Sequence, residues 1–350
     1  MKTNNYVRDI QYRFELLNKR NEIKQVLQNV TDCSITWQSL SSLKVSGKVS
    51  MLENSNIDYL SDRIRIYAAV NNVQIPLATL LLCSPARQID NITTRDCECY
   101  SLLKILQDTK VEEKRLIQAG TNVVNEVNRL IKEVGPYESS NIQGSNKTIS
   151  VAKIYEVGTT YLEIINDLLD IIGYTSLYID ALGTFTAREY ILPQYRQVDL
   201  SLAADVQSLI SRDISNDIDL FNIPNVFIAY TENIDATPLS YTYENNNKNS
   251  VTSTINRGRR IVEVQSFEVA TLEELITKAK KMCSDANSVY EHLELSVALR
   301  EDLNLYDDCI YVDLPMYDIE GKYILHEASY KCKTGENINL KLRRVVNVIV

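Results

Sequence analysis

The clearest periodic pattern in the sequence lies between Gly158 and Gly173. Leucine and isoleucine recur there every three or four positions, which predicts an amphipathic helix with one buried face. Thr160 and Glu163 have the spacing of a capping box, in which a hydroxyl and a carboxylate accept hydrogen bonds from free N–H groups at the helix start. Gly173 stands where a left-handed residue ends a helix. The predicted buried stripe consists of Leu162, Ile165, Leu168, Leu169 and Ile172.

After Gly173 the pattern changes to one that is typical of a β-hairpin. Residues 174–180 and 184–190 are rich in tyrosine and threonine, and Ala181-Leu-Gly183 between them is suited to a turn. The chain therefore predicts a compact unit of a helix, a strand, a turn and a second strand.

Both ends of the chain predict many short strands. Residues 1–105 alternate polar and apolar side chains between turn residues, and Asn71-Asn72 is a candidate for a tight turn. Strands at intervals of about ten residues are typical of a barrel or a sandwich. Near the C-terminus the predicted strands are His292–Leu299, Cys309–Leu314, Lys322–Cys332 and Ile338–Val346.

The segments between these strands carry weaker patterns. Apolar residues at helical spacing run from Leu102 to Val134, and residues 135–150 are polar and predict a loop or a domain seam. Residues 200–214 favour a helical or mixed structure, and the polar residues 232–258 predict a long exposed loop or hairpin tip. A second capping box at 271–274 predicts a helix to about Ser288.

These patterns together predict a β-dominated α+β protein. With 350 residues the chain is long enough for two or three domains. We expect a first β domain in residues 1–110, a small α/β domain in residues 111–195, and a second β domain with one helix in residues 196–350.

Charge argues against a nucleic-acid binder. The formal net charge is −9, whereas proteins that bind nucleic acid electrostatically need clustered lysine and arginine. The basic clusters, residues 257–260 and Arg343-Arg344, are short and favour solvated rims.

Cysteine usage favours reduced thiols in a protein made in a cytosol. The chain has seven cysteines and no Cys-x-x-Cys pair, and Cys97 and Cys99 would share one face of a strand without a nearby histidine. Met1–Arg8 lacks the apolar segment of a signal peptide. The longest apolar run, Leu77–Cys83, is too short to span a bilayer.

Catalytic candidates are few. No nucleophile elbow, Walker loop, dinucleotide-binding turn or zinc-protease helix is present. We therefore predict no catalytic, cofactor-binding or metal-binding residue and no cofactor. We interpret the two histidines as structural or surface residues, and the paired carboxylates as solvated helix faces, partners of a helix N-terminus or turn formers. These residues are His292, His326, Asp167, Asp170, Glu273, Glu274, Asp307 and Asp308.

The order of several segments resembles the tail or baseplate hub family of phages and R-type bacteriocins, which includes XkdQ-type hubs and late control protein D-like proteins. The resemblance covers nearly the whole chain. Asn71-Asn72-Val-Gln-Ile-Pro76 departs from it, because the family usually has a glycine-rich turn there. The segments that carry it are Ser34-Ile-Thr-Trp37, Asp62-Arg-Ile-Arg-Ile-Tyr67, the unit 158–190, Tyr311–Pro315 and Glu320–Leu325.

The resemblance implies two tube-like β-barrels with an α/β domain between them and a homotrimer that joins a sixfold tail tube to a threefold spike. The implied partners are the tail tube ring, a spike or needle, and wedge or tape-measure proteins, with DNA only as a passenger. The implied location is a virion or tail-like particle assembled in the bacterial cytoplasm. Because the chain ends at Val350, we expect no fused lysin. The alternative function is a cell-wall-directed hydrolase or adhesin of a tail tip.

Overall fold

A computed structural model of the protein describes residues 9–191, 195–204, 210–211, 213–218, 220–231, 238–267, 271–300 and 308–347. The fold is β-dominated α+β, as the sequence predicts. The helices are α1 (Leu103–Asp108), α2 (Val123–Val134), α3 (Tyr161–Ile171), α4 (Thr254–Arg257) and α5 (Leu272–Asn287).

The strands in the first part of the chain are β1 (Ile10–Leu17), β2 (Ile23–Leu27), β3 (Val30–Gln38), β4 (Val45–Leu52), β5 (Arg63–Val70), β6 (Val73–Ile89), β7 (Thr93–Ser101), β8 (Arg115–Ile117), β9 (Ser140–Ile142), β10 (Lys153–Tyr155), β11 (Tyr178–Ile179) and β12 (Phe185–Ala187). Those in the second part are β13 (Leu200–Ala203), β14 (Ser215–Ile218), β15 (Val226–Tyr230), β16 (Ser240–Glu244), β17 (Val262–Ser266), β18 (Ser288–Val297), β19 (Cys309–Leu314), β20 (Ile319–Lys331) and β21 (Ile338–Asn347).

The chain forms two compact units. The first contains Met1–Arg212 and Leu295–Lys341, and the second contains Asp213–Glu294 and Leu342–Val350. The sequence-based division at residues 110 and 195 stays a prediction.

The first unit is built on an antiparallel sheet with the strand order β2-β1-β5-β6-β7-β4-β3-β20. Asn71 and Asn72 have positive φ angles of 49° and 68°, which confirms the predicted tight turn between β5 and β6. Strand β20 pairs with β3 between Lys331 and Ser34, so strands from the two ends of the chain are neighbours in one sheet.

The predicted helix at 158–173 is confirmed as α3. The Thr160 hydroxyl accepts a hydrogen bond from the Glu163 N–H, and the Glu163 carboxylate accepts one from the Thr160 N–H at 2.8 Å, which completes the capping box. Gly173 has a φ of 75°, as a left-handed helix stop requires. Every residue of the predicted stripe is buried in one cluster with α1 and α2.

The predicted hairpin is confirmed as β11 and β12, although both strands are shorter than expected. Strand β9 lies parallel to β12 at the edge of this hairpin and pairs Ser140 with Phe185. The prediction of a loop or seam at 135–150 is therefore wrong in part, because the segment supplies a strand of the α/β insertion.

A buried ion pair joins that segment to the main sheet. Arg63 on β5 donates to both carboxylate oxygens of Glu138, at 2.5 and 3.1 Å, and the two side chains are only 5% and 3% exposed. Arg63 also donates to Asn21 Oδ1 at 2.7 Å. The two partners lie far apart in the sequence, so neither local pattern indicates that they pair.

A second contact, two residues further along β5, fixes the turn of the insertion hairpin. Arg65 donates to the Leu182 carbonyl at 2.8 Å and to the Thr79 hydroxyl at 3.0 Å, and Thr79 donates to the Ala181 carbonyl at 2.9 Å. Gly183 has a φ of 90°, and a Cβ there would lie 3.2 Å from Thr79 Cγ2. The turn thus needs both the backbone freedom and the small volume of glycine.

Two helical predictions are corrected in this unit. Leu116 and Ile117, which fit the helical pattern, lie on strand β8, where Leu116 is exposed and Ile117 is buried as strand alternation requires. Asn122 caps the following helix by accepting from the Asn125 N–H, so α2 begins after the strand. Residues 200–203 form β13, which pairs in parallel with β19, and residues 205–209 lie outside the described residues.

In the second unit, β15 is the central strand of a three-stranded sheet between β16 and β17. Helix α5 packs on one face of this sheet and buries Phe227 and Ala229 against Leu275 and Ala279. Apart from residues 268–270, which are outside the description, this agrees with the predicted strand, strand and helix order.

The prediction of a long exposed loop or hairpin tip at 232–258 is wrong in part for its described residues. Residues 240–244 form β16, and Asn245 and Thr252 are buried. Asn245 Nδ2 donates to Ser250 Oγ at 3.0 Å, and Asn225 Nδ2 donates to the Thr252 carbonyl at 3.1 Å. These polar side chains satisfy one another, so they are buried without a hydrophobic pattern, although other residues of the segment such as Val251 and Ile255 are exposed.

We predict that the single variants Arg63→Met and Glu138→Leu each lower the free energy of unfolding by about 3–5 kcal/mol, because each leaves a buried charge unpaired. The double variant should lose far less free energy of unfolding than the two single variants lose together. Urea unfolding of the three proteins measures the coupling.

Glu156→Ala is the matched control for this cycle, because it breaks a Lys114–Glu156 pair whose side chains are 68% and 66% exposed. It should change the free energy of unfolding by no more than about 1 kcal/mol. Additive effects of Arg63→Met and Glu138→Leu would contradict the assignment of the ion pair.

We predict that Gly183→Ala destabilises the protein more than Gly173→Ala. Both glycines have positive φ, which costs alanine about 1–2 kcal/mol, but a Cβ at Gly173 meets nothing within 4 Å. The overlap at Gly183 should add about 1–3 kcal/mol, measured by urea unfolding. Equal losses in the two variants would show that the turn is not held against Thr79.

Candidate functional site

The residues considered in the sequence as catalytic candidates do not converge where the structure describes them. His326 accepts or donates a hydrogen bond with Ser39 Oγ at 2.8 Å, between β20 and the end of β3. His292 is exposed on β18, opposite Asp217. Glu273 is exposed on α5, and Asp307 lies outside the described residues.

Asp167 on α3 is engaged in structural contacts. Lys153 donates to both carboxylate oxygens, at 2.9 and 2.8 Å, and the Tyr155 hydroxyl donates at 2.6 Å. Burial acts to raise the pKa of Asp167, but the hydrogen bonds from Lys153 and Tyr155 outweigh it and hold the pKa below its usual range. The carboxylate ties β10 to α3, whereas Asp170 is exposed.

Within the described residues, no group of three or more histidine, cysteine, aspartate or glutamate side chains is arranged to hold a metal ion. Cys97 and Cys99 are both buried on β7, and burial raises the pKa of each thiol. None of the described helices is both long and apolar enough to cross a membrane.

An open pocket of about 530 Å³ lies on the α/β insertion, along residues 109–116. Glu112 and Glu113 line it together with Glu133 on α2, a grouping that the sequence does not predict because Glu133 lies in a different segment of the chain. Paired carboxylates are the groups that a glycoside hydrolase uses.

Glu133 is held by neighbouring cations. It accepts from Arg115 at 2.6 Å and from Arg129 at 2.8 Å, and its other oxygen accepts from the Tyr161 hydroxyl at 2.5 Å. Burial acts to raise the pKa of Glu133, but the hydrogen bonds from Arg115 and Tyr161 hold the pKa below its usual range. A carboxylate kept ionised in this way is suited to fixing β8 on α2 and α3, and not to donating a proton.

Strands β8 and β10 of the insertion expose apolar side chains. Leu116 on β8 and Ile154 on β10 are directly paired, project from the same face, and are 56% and 63% exposed. Val151 and Val157, which flank β10, are also exposed. We call these four residues the insertion patch. Exposed apolar groups that adjoin one another mark protein contact surfaces more often than isolated ones do.

A second exposed feature is the hairpin of β6 and β7. Strand β5 accompanies β6 only as far as Leu81, and the hairpin tip exposes Ile89 and Ile92. Arg87 and Arg95 face each other across the hairpin, and Glu53 accepts from both, at 2.9 and 2.7 Å. The carboxylate offsets a like-charge pair that would otherwise separate the strands.

Comparison with known proteins gives matches in structure only. No family model matches the sequence, and no curated protein matches it either. A tail protein from Neisseria meningitidis MC58 superimposes with a TM-score of 0.66 at 12% identity, over 95% of this chain and 96% of that chain.

Two further tail proteins are similar. The 43 kDa tail protein of prophage MuSo2 from Shewanella oneidensis has a TM-score of 0.64 at 10% identity, over 95% of this chain and 98% of that chain. Prophage tail protein gp18 from Listeria monocytogenes EGD-e has a TM-score of 0.53 at 13% identity, over 95% and 94% of the two chains. The chain therefore has the fold of phage tail proteins, which confirms the resemblance at the level of fold.

We predict that Glu133→Gln lowers the free energy of unfolding at pH 7. We also expect this variant to lose less of that free energy than the unaltered protein when the pH falls to about 3. A carboxylate whose folded pKa lies below its unfolded value of about 4.3 stabilises the protein above that value and loses this contribution as the pH falls through the folded pKa. Urea unfolding at pH 7 and at about pH 3 measures both effects.

Glu112→Gln is the control, since Glu112 is an exposed carboxylate at the same pocket. It should change the free energy of unfolding by less than about 0.5 kcal/mol at either pH. If the Glu133→Gln protein lost as much stability on acidification as the unaltered protein, the role given to the arginines would be wrong.

Proposed function

We propose that the protein is a structural hub subunit in the baseplate of a phage tail or a phage-tail-like particle. The observation that carries the proposal is the superposition on two tail proteins. It includes 95% of this chain and 96% and 98% of theirs. Since the identities show the fold alone, the role rests on the class of protein to which these neighbours belong.

In this proposal the subunit is a symmetry adapter. Residues 1–110 and 196–350 each supply a tube-like β-barrel, and residues 111–195 supply the α/β insertion. Three subunits then place six similar barrels in a ring, which fits a sixfold tail tube on one side and presents threefold symmetry to a central spike on the other. The strand-rich ends and the helix-containing middle of the chain support this arrangement.

The proposed partners are two further copies of the chain, the tail tube ring, a spike or needle, and wedge or tape-measure proteins. DNA is a transient passenger in the channel, and the net charge of −9 disfavours adhesion to its phosphates. The subunit is assembled in the bacterial cytoplasm and resides in the particle.

The insertion patch and the β6–β7 hairpin tip are the proposed contacts with neighbouring subunits. Both expose isoleucine or leucine next to charged residues. At the patch, Lys114, which precedes β8, forms an ion pair with Glu156, which follows β10. A polar rim around an apolar centre is the usual organisation of a subunit contact.

The subunit has no catalytic role in this proposal. The pocket with Glu112, Glu113 and Glu133 is the one observation that favours the alternative, a cell-wall-directed hydrolase or adhesin of a tail tip. Against the hydrolase, Glu133 is bound by two arginines and a tyrosine hydroxyl, and the solved neighbours are tail proteins.

We predict a solution mass of three chains for the purified protein, measured by light scattering on a sizing column. The double variant Leu116→Lys and Ile154→Lys should shift the mass to one chain, because two charges would have to be desolvated in the contact. Leu60→Lys is the control: Leu60 is 99% exposed and lies outside the patch, so the trimer should persist.

A protein that stays monomeric and releases soluble peptidoglycan fragments would contradict the proposal. If Glu133→Gln then abolished that release while the protein remained folded, the hydrolase would replace the hub as the function.

A further inference from the structure

Two thiols face each other where the first and last strand series meet. Cys33 lies on β3, and Cys332 directly follows β20. The Cys332 N–H donates to the Cys33 carbonyl at 2.8 Å, and the neighbouring pair of the antiparallel register is Ser34 with Lys331. The side chains of two directly opposed residues project from the same face of the sheet, so the two thiols are neighbours there.

This geometry satisfies the Cα distance requirement of a disulfide. Cys33 and Cys332 are a hydrogen-bonded pair of the antiparallel ladder, so their Cα atoms lie about 5.5 Å apart and their side chains project from the same face. Disulfides join Cα atoms about 4.4–6.8 Å apart and Cβ atoms about 3.5–4.5 Å apart. Closing a bond between Cys33 and Cys332 therefore draws the two strands together locally and keeps their pairing.

We infer that Cys33 and Cys332 form a redox-closable disulfide, open while the protein is in a reducing cytosol and closed by a small-molecule disulfide such as oxidised glutathione. The inference does not depend on the proposed function. Both thiols are free in the structure, which corresponds to the open state.

The order of attack follows from access. Cys332 is half-buried, whereas Cys33 is buried, and the neighbouring Cys332 side chain together with burial raises the pKa of the Cys33 thiol. The Cys332 thiolate attacks the small disulfide, forms a mixed disulfide and releases one small thiol. The Cys33 thiolate then displaces the second small thiol, so two protein thiols and one small disulfide give one protein disulfide and two small thiols.

The bond would raise the stability of the folded protein strongly because its two cysteines are far apart in the sequence. It closes a loop of nearly the entire sequence, and a disulfide restricts the unfolded chain more as its loop lengthens. It also fastens β20 to β3, the pairing that holds the two ends of the chain in one sheet.

The remaining described cysteines serve as internal comparisons. Cys97 and Cys99 are buried on the same strand, where the Cys99 thiol donates to the Cys97 carbonyl at 3.8 Å. Cys83 is half-buried on β6 and provides a control of similar accessibility to Cys332.

The test incubates the full chain with oxidised glutathione and compares it with the Cys332→Ser and Cys83→Ser variants. Denatured thiol titration should show five free thiols instead of seven in the unaltered protein and four instead of six in Cys83→Ser, whereas Cys332→Ser should keep its six. Peptide mass mapping without reductant should identify a peptide that joins Cys33 to Cys332. Thermal unfolding should shift upward by at least about 5 °C in both proteins and should not shift in Cys332→Ser.

Unaltered protein that keeps all seven thiols after incubation with oxidised glutathione, or that links other cysteines, would overturn the inference. A linked Cys33–Cys332 peptide with an unchanged or lower melting temperature would support the bond and contradict the stabilisation expected from its long loop. Mass mapping of the unaltered protein needs no variant, so the inference stays testable even if Cys332→Ser does not fold.

Discussion

The position of the α/β insertion depends on two arginines of one strand. On β5, Arg63 reaches Glu138 in a fully buried ion pair, and Arg65 reaches the turn at Leu182. Because the two arginines alternate with buried isoleucines, the same strand packs the core of the sheet with one face and holds the insertion with the other. A buried pair adds little net stability compared with apolar packing, but it penalises every arrangement in which either partner is left unpaired. We infer that these contacts fix the one arrangement in which the insertion packs on the main sheet.

The insertion that is held in this way is stabilised mainly by its own core. Helices α1, α2 and α3 bury a continuous cluster that extends to Leu81 and Leu43 of the sheet region. Around it, carboxylates on the helices bind cations on the strands, as Asp167 binds Lys153 and Glu133 binds Arg115. These contacts leave the apolar side chains of the insertion patch directed outward. A fixed orientation of the patch is what a repeated subunit contact requires.

The sequence was most informative where a structure depends on neighbouring residues. The cap at Thr160, the stop at Gly173 and the stripe of α3 are all local, so their spacing predicts them. Arg63 and Glu138 are far apart in the chain, and nothing local indicates that either is buried. The same reason explains why the buried network around Asn245 was interpreted as an exposed loop: polar side chains that satisfy one another leave no hydrophobic period. The pocket beside Glu133 was missed because its glutamates come from different segments of the chain.

The central claim, that this chain is a hub subunit of a tail-like particle, is tested most directly by locating it. Particles would be purified from bacteria that produce the chain with an affinity tag, and electron cryo-microscopy would be used to image the end of the tail. The account predicts three copies arranged around the axis, between the tail tube and the spike. Intact particles that contain no copy of the chain, or that carry it away from the tube end, would contradict it.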